Sequence, residues 1–213
     1  MEGNIIDAEI SYINYRFISI PGNDVMRYVT EIEGDIFACD NDGTEHLVGK
    51  VKYVSIDAND ALDNGISPEY LLDIQSNTSH FMGELYNRSG CYFRRKIQNL
   101  FISETLNTNL LIVDRIEILP FFRGRSWFSK IINDGIRFFG FKAELIVLKA
   151  FPLQFEINTE RKDLIEWQTK MSIDKLCSDE KTAFRKIERF YRGAGFVKIS
   201  NSGIMIKPIE QIL

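Results

Sequence analysis

The chain has 213 residues, of which 45% are hydrophobic and 26% charged, and its formal net charge is -4 at pH 7. This composition is typical of a folded globular protein and excludes a fibrous repeat or a disordered chain. The negative balance disfavours a nucleic-acid partner, because a protein that neutralises phosphates needs a surplus of Lys and Arg. We therefore expect one α/β domain over residues 1–213.

The first half of the chain is rich in β-forming residues. Residues 9–20, 34–40 and 46–56 alternate apolar with polar side chains, which predicts an antiparallel meander. An Asn-Asp-Gly turn at residues 41–43 predicts a hairpin between the second and third strands.

The following segment predicts two helices after an acidic loop. Residues 57–65 lack the spacing of a calcium loop and are interpreted as solvated. Ser67 and Pro68 resemble a helix start, which predicts a helix towards residue 86, and a second helix is predicted over residues 92–100.

The second half predicts a strand, a helix and a strand in immediate succession. Residues 110–119 are almost continuously apolar, apolar residues recur at helical spacing up to a stop at Gly140, and residues 143–151 form the next strand. Short joints between them imply a right-handed βαβ crossover with two parallel strands, so we expect a mixed sheet. A charged insertion at residues 156–182, either a lid or an edge-packed segment, precedes a helix over residues 183–196 and a terminal hairpin.

The first ten residues contain no long apolar run, so we expect neither a secretory signal nor a membrane partner, and a cytoplasmic location. The cysteines Cys39, Cys91 and Cys177 are widely spaced and odd in number, which is typical of reduced thiols. We expect no metal site, because His46 and His80 are the only imidazoles and neither lies in a Cys/His spacing pattern; both are interpreted as surface or hydrogen-bonded residues.

The joint between the central strand and helix has the features of an anion site. At the start of a helix, unpaired backbone N–H groups and the helix dipole favour negative charge. Gly124 relaxes the backbone there, and Arg123 and Arg125 add cations that can contact a pyrophosphate. The alternative is that both arginines are solvated residues at a helix entry.

The stretch "ILPFFRGRSWFSKII" resembles the acetyl-CoA-binding signature of the GNAT superfamily of N-acetyltransferases. The segments "LVGKVKYVSID", "AELIVLKAFPLQFE" and "FYRGAGF" resemble other parts of that superfamily in order and spacing, and "LKAFPLQFE" is similar to a poorly characterised bacterial group within it. The resemblance implies a GNAT fold, with a mixed central β-sheet flanked by helices, a central βαβ unit and a C-terminal hairpin.

The resemblance also implies acyl-CoA, most simply acetyl-CoA, as co-substrate and an amine as acceptor. The backbone of the strand end would pair with the pantetheine arm, and the turn would hold the pyrophosphate. The cofactor-binding residues implied in this way are Ile118, Leu119, Arg123, Gly124, Arg125, Ser126, Trp127 and Phe128.

Two residues depart from the family pattern, because Ser126 and Phe128 stand where the signature has its later glycines. Ser126 still presents a backbone N–H group and can cap the helix, provided that its backbone does not need a positive φ. The spacing of Phe128 with the apolar residues that follow predicts a place in the core.

Acyl transfer to an amine needs an acid for the leaving thiolate and a base for the amine. Tyr191 matches the GNAT tyrosine that protonates the sulfur, although a core aromatic would have the same spacing. Glu117, in a buried strand, is the first candidate for the base and Asp114 the second. Either carboxylate can instead pair with a neighbouring arginine.

Three hypotheses follow from the sequence. The first is an acyl-CoA-dependent N-acyltransferase, whose acidic segments 57–63 and 156–166 attract a cationic amine. The second is a catalytically inactive GNAT-fold protein that binds acyl-CoA or has a regulatory or interaction role, because the later glycines of the signature are replaced by Ser126 and Phe128. The third is an interaction domain that uses the charged insertion. The oligomeric state is left open, with a homodimer among the alternatives.

Overall fold

A seven-stranded mixed β-sheet forms the centre of the computed structural model, which describes residues 10–18, 24–101, 105–124, 126–156 and 162–209. The strand order is β1-β2-β3-β4-β5-β7-β6. The strands are β1 (Ile10–Ile18), β2 (Val29–Cys39), β3 (Glu45–Ile56), β4 (Leu110–Ile118), β5 (Leu145–Lys149), β6 (Val197–Lys198) and β7 (Ile204–Pro208).

The first four strands are antiparallel, as the alternating pattern predicts. The hairpin between β2 and β3 is confirmed: Cys39 pairs with Glu45 across a turn in which Gly43 adopts φ +78°. Such a positive φ is accessible to glycine without steric penalty.

The predicted βαβ unit is also confirmed. β4 and β5 pair in parallel through Leu110↔Leu145 to Val113↔Leu148, and a single helix connects them. The terminal hairpin is present as β6 and β7, and β7 adds to β5 in antiparallel fashion. The prediction of a mixed sheet flanked by helices therefore holds.

Helices cover both faces of the sheet. They are α1 (Ala58–Asp63), α2 (Pro68–Asp73), α3 (Arg95–Gln98), α4 (Trp127–Phe139), α5 (Lys162–Met171) and α6 (Glu180–Gly193). One apolar cluster joins the sheet to α4 and α6 through residues such as Leu111, Ile131 and Met205. The other joins the opposite face to α1, α2 and α3 through residues such as Ile112, Leu72 and Ile97.

The region between β3 and β4 differs from the prediction in three places. Residues 57–63 are not a solvated loop, because the Asp57 side chain accepts from the Asp60 N–H and starts α1. The helix predicted towards residue 86 ends at Asp73, and the Thr78 hydroxyl donates to the Leu72 carbonyl at 2.7 Å. The helix predicted over residues 92–100 is reduced to α3, a single turn.

Candidate functional site

The sheet opens between β4 and β5. β4 pairs with β5 only as far as Val113, opposite Leu148, and then continues to Ile118 paired with β3 alone. Beyond β5, the Ala150 N–H donates to the Gly203 carbonyl at 2.9 Å, so the chain after β5 stays bonded on its β7 side. Among the described residues, no strand pairs with the second half of β4 on the side of β5.

A β-bulge marks the start of this opening. Lys52 of β3 pairs with Arg115 and Tyr53 pairs with Val113, so Asp114 is an extra residue in β4. A bulge re-aims the side chains that follow it. Before the bulge β4 is entirely buried and apolar, whereas the part after it contains charged residues that border the opening.

A largely apolar cavity of about 560 Å³, here called cavity 1, lies at the opening on the side of α4 and α6. β4 contributes Ile116 and Ile118 to its walls, and α4 contributes Trp127 and Phe128. Among the described residues that line cavity 1, the only charged ones are cations, Arg123 and Lys186. Cavity 1 therefore suits a mainly uncharged chain with an anionic end.

A smaller and more polar cavity of about 330 Å³, cavity 2, lies at the same opening and is bordered by the segment between α2 and α3. Its polar lining residues are Asn77, His80, Asp114, Arg115, Lys149, Glu156 and Tyr191. Cavities 1 and 2 share four lining residues: Ile116, Leu153, Ile187 and Tyr191. They therefore meet where β4 and β5 diverge.

Tyr191, the predicted acid, lies at this junction. It projects from α6, is half-buried, and lines both cavities. Burial raises its pKa to about 12, so the hydroxyl is protonated at neutral pH. No described residue hydrogen-bonds this hydroxyl. A proton on Tyr191 is thus available to a group placed between the cavities.

The turn between β4 and α4 has the backbone expected of a helix-entry loop. Gly124 has φ +78°, which explains a glycine at this position. Ser126 has φ -67° and therefore needs no glycine; its side chain makes no capping hydrogen bond. The Ser126 side chain thus leaves the first N–H groups of α4 uncapped. Arg125 lies outside the described residues.

The two aromatic residues at the start of α4 contact the core and also line cavity 1. Trp127 is buried and its ring lies 4.9 Å from that of Phe122. Phe128 packs against Phe190 at 4.9 Å and Tyr191 at 5.4 Å between ring centroids. Phe128 therefore packs against the core, as its spacing predicts, but it stays partly exposed and lines cavity 1.

Arg123 is engaged inside the protein. Its Nε donates to the Ile118 carbonyl at 2.8 Å and its Nη2 to the Met171 carbonyl at 2.6 Å. The Leu119 N–H donates to the Val48 carbonyl of β3 at 2.9 Å. Roles for Arg123, Ile118 and Leu119 in cofactor binding stay predictions, since each would have to share or exchange these bonds.

Glu117, the first candidate for the base, is buried and has both carboxylate oxygens bonded. Arg115 donates to Oε1 at 2.9 Å and the Trp167 indole N–H donates to Oε2 at 2.7 Å. Glu117 is not among the described residues lining cavity 1 or cavity 2. These contacts correspond to the structural alternative of pairing with a neighbouring arginine.

Asp114, the second candidate, lines cavity 2 directly. Burial raises the pKa of its carboxyl group, and the Asn77 amide, which donates to Oδ2 at 3.3 Å, opposes that rise. A carboxylate with a raised pKa is a better proton acceptor at neutral pH. The geometry therefore favours Asp114 over Glu117 as the base.

His80 and Lys186 were not recognised as site residues from the sequence. His80 is half-buried against cavity 2, and its buried Nε2 has no hydrogen-bond partner among the described residues, which overturns the interpretation as a surface or hydrogen-bonded residue. Burial lowers the pKa of His80 to about 4, so the ring is neutral at pH 7. Neither residue has a sequence signal, because both depend on where distant segments meet.

The insertion covers the opening rather than projecting into solvent. Glu156 accepts a hydrogen bond from Arg115, Trp167 of α5 contacts Glu117, and Met171 at the end of α5 accepts from Arg123. The Leu164 side chain, part of the predicted stripe, lies outside the described residues. The insertion therefore packs on both β4 and the turn between β4 and α4.

No family model matches the chain, and no curated protein or solved structure matches it either.

All three cysteines are free thiols. The described residues include no group of three or more His, Cys, Asp or Glu side chains placed to hold a metal ion. No helix in the described part of the chain is long and apolar enough to cross a membrane.

Proposed function

We propose that the protein is a GNAT-fold N-acyltransferase that transfers an acyl group from acyl-CoA, most simply acetyl-CoA, to an amine. The observation that carries the proposal is the opening between β4 and β5, at which cavities 1 and 2 meet beside Tyr191. An acyl-CoA bound in one cavity would place its thioester at this junction, where an acceptor bound in the other cavity could reach it.

Cavity 1 is assigned to the acyl-CoA. Its apolar walls suit the pantetheine arm, and the N–H groups at the start of α4, which the Ser126 side chain leaves uncapped, suit a pyrophosphate. Lys186 projects from α6 at the border of this cavity and forms no ion pair with a described residue. Lys186 is therefore placed to contact a phosphate group.

Cavity 2 is assigned to the amine, with Asp114 as the base and Tyr191 as the acid. The ammonium group of the acceptor loses one proton to Asp114, and the resulting neutral amine attacks the thioester carbon, so that an N–C bond forms. The C–S bond breaks as Tyr191 donates its proton to the sulfur, the nitrogen then gives its excess proton to Tyr191, and Asp114 releases its proton to solvent. The products are the amide and free CoA.

Calorimetric titration of the full chain with acetyl-CoA, CoA and dephospho-CoA tests the proposal. We expect saturable one-site binding of acetyl-CoA. Lys186→Ala should weaken binding about threefold to tenfold, because one charge-assisted contact is lost. Lys181→Ala removes an exposed cation one and a half turns earlier in α6 and should change nothing.

One observation favours the non-catalytic alternative. The backbone groups of Ile118 and Leu119 predicted to hold the pantetheine arm are bonded within the protein, and the insertion lies across the opening. Absence of acetyl-CoA binding by wild-type protein would contradict acyl transfer and leave the regulatory or interaction role.

A further inference from the structure

Two of the charged residues that line cavity 2 form no ion pair with a described residue. Arg115 is not one of them, because it forms ion pairs with both Glu117 and Glu156, a group of one cation and two anions. His80 is neutral at pH 7, because burial and the nearby Lys149 lower its pKa to about 4. Of the charged residues that line the cavity, Asp114 and Lys149 remain.

Asp114 has an oxygen available to a ligand. Its one hydrogen bond from a described residue is the long contact with Asn77, which uses Oδ2 and leaves Oδ1 unoccupied. Lys52, the other cation near Asp114, is paired with Glu31 at 2.8 Å. The Asp114 carboxylate therefore forms no ion pair with a described residue.

Lys149 is the complementary group at the end of β5. It is half-buried, and its ammonium group lies 5.9 Å from the centre of the Phe151 ring. No described carboxylate pairs with it. A partly buried ammonium group without an anion favours a ligand that supplies one.

The remaining walls of cavity 2 are apolar. They are formed by side chains from β4, β5, α6 and the loop segments on either side, namely Phe81, Val113, Ile116, Leu148, Phe151, Leu153 and Ile187. The volume of about 330 Å³ accommodates a small molecule and excludes a folded protein surface.

We infer that cavity 2 binds a small zwitterion, an amino acid with an apolar side chain, as the acyl acceptor. Its amino group faces Asp114, its carboxylate faces Lys149, and its side chain contacts the apolar walls. The inference rests on the proposed function and makes it narrower, since the product is an N-acyl amino acid. The bonds made and broken are those of the transfer described above.

The test is a calorimetric comparison of three ligands that share a 3-methylbutyl unit. L-leucine carries both charges, 3-methylbutylamine carries only the amino group, and 4-methylpentanoate carries only the carboxylate. Each is titrated into the full chain with and without saturating CoA. We expect L-leucine to bind about tenfold more tightly than either single-charge ligand.

Two variants assign the charges. Lys149→Gln should weaken L-leucine and 4-methylpentanoate about tenfold and leave 3-methylbutylamine unchanged, whereas Asp114→Asn should weaken L-leucine and 3-methylbutylamine and leave 4-methylpentanoate unchanged. Asp42→Asn and Lys181→Gln change exposed residues outside cavity 2 and should have no effect. Thermal melts of all variants show whether each is folded.

Equal affinity for L-leucine and 3-methylbutylamine would overturn the inference, because the carboxylate would then not be recognised. No L-leucine binding up to about 10 mM in either state would overturn it as well. If acetyl-CoA binds in that case, the acyltransferase proposal stands without this acceptor. If L-leucine binds and acetyl-CoA does not, cavity 2 is an amino-acid site and acyl transfer is wrong.

Discussion

The two halves of β4 have different surroundings and different tasks. From Leu110 to Val113 the strand is paired on both sides and its side chains are buried and apolar. From Asp114 to Ile118 it is paired on one side only, contains three charged residues, and borders both cavities. A single bulge at Asp114 separates a segment that stabilises the fold from one that can bind a ligand.

The largest difference between the halves should appear in stability. Ile112 is fully buried, and Ile112→Ala should lower the free energy of unfolding by about 2–5 kcal/mol. Ile116 is half-buried beside two cavities, and Ile116→Ala should cost about 1 kcal/mol. Urea denaturation of both variants measures the contrast. Equal losses would show that the opening is absent in solution.

Tyr191→Phe should have the next largest effect, on catalysis alone. Loss of the acid should reduce release of CoA thiol from acetyl-CoA, with an amine acceptor present, about 100-fold. Stability should change by less than about 0.5 kcal/mol, since no described residue bonds the hydroxyl. Tyr70→Phe, at an exposed residue outside both cavities, is the control.

The pH profile sharpens this prediction. Tyr191 donates only when protonated, and its pKa is raised to about 12, so its activity is lost only as pH rises through that value. The rate should therefore show no loss due to Tyr191 between about pH 8 and about pH 10. A wild-type rate that falls near pH 10 and a Tyr191→Phe rate that does not would contradict the raised pKa.

The contact between α5 and the second half of β4 can be broken at Trp167. Trp167→Phe leaves Oε2 of buried Glu117 without its donor, which should lower the free energy of unfolding by about 1–3 kcal/mol beyond the effect of lost volume. Trp127→Phe loses the same atoms at a similarly buried position and serves as the control. Similar losses in the two variants would show that the hydrogen bond contributes nothing.

Two substitutions in the turn after β4 should differ in their effect on stability. Gly124→Ala forces an alanine to φ +78° and should cost about 1–2 kcal/mol, although the added methyl group meets no atom. Ser126→Gly should change stability by only a few tenths of a kcal/mol, because the backbone there is ordinary. Acetyl-CoA affinity should be unchanged by Ser126→Gly; a large gain would show that the missing glycine limits binding.

Sequence patterns were informative where a segment's own residues determine its structure. The alternation in β2 and β3, the helical spacing in α4 and the joints around them predicted the hairpin and the βαβ unit. Between β3 and β4 the start of α2 at Ser67 and Pro68 was predicted correctly, but α1 was missed and α2 and α3 are shorter than predicted, because this region is positioned by distant contacts. The Asn59 N–H, for example, donates to the side chain of Asn109 at 2.8 Å.

The candidate site was predictable only in part for the same reason. Tyr191 and the turn at Gly124 belong to local motifs, whereas the bulge at Asp114 depends on pairing with β3. The hydrogen bond between Arg123 and Met171 joins residues 48 positions apart. No local sequence pattern could therefore show that the Arg123 guanidinium is already engaged. Which carboxylate borders a cavity is likewise decided by tertiary structure.

Hydrogen exchange of the full chain, measured by mass spectrometry with and without acetyl-CoA, tests most directly whether the opening in the sheet is the acyl-CoA site. We expect slower exchange at residues 114–119 and 126–130 when acetyl-CoA is bound, and unchanged exchange in β1 and β2. Slower exchange confined to other segments, or no change at an acetyl-CoA concentration that saturates binding, would contradict it.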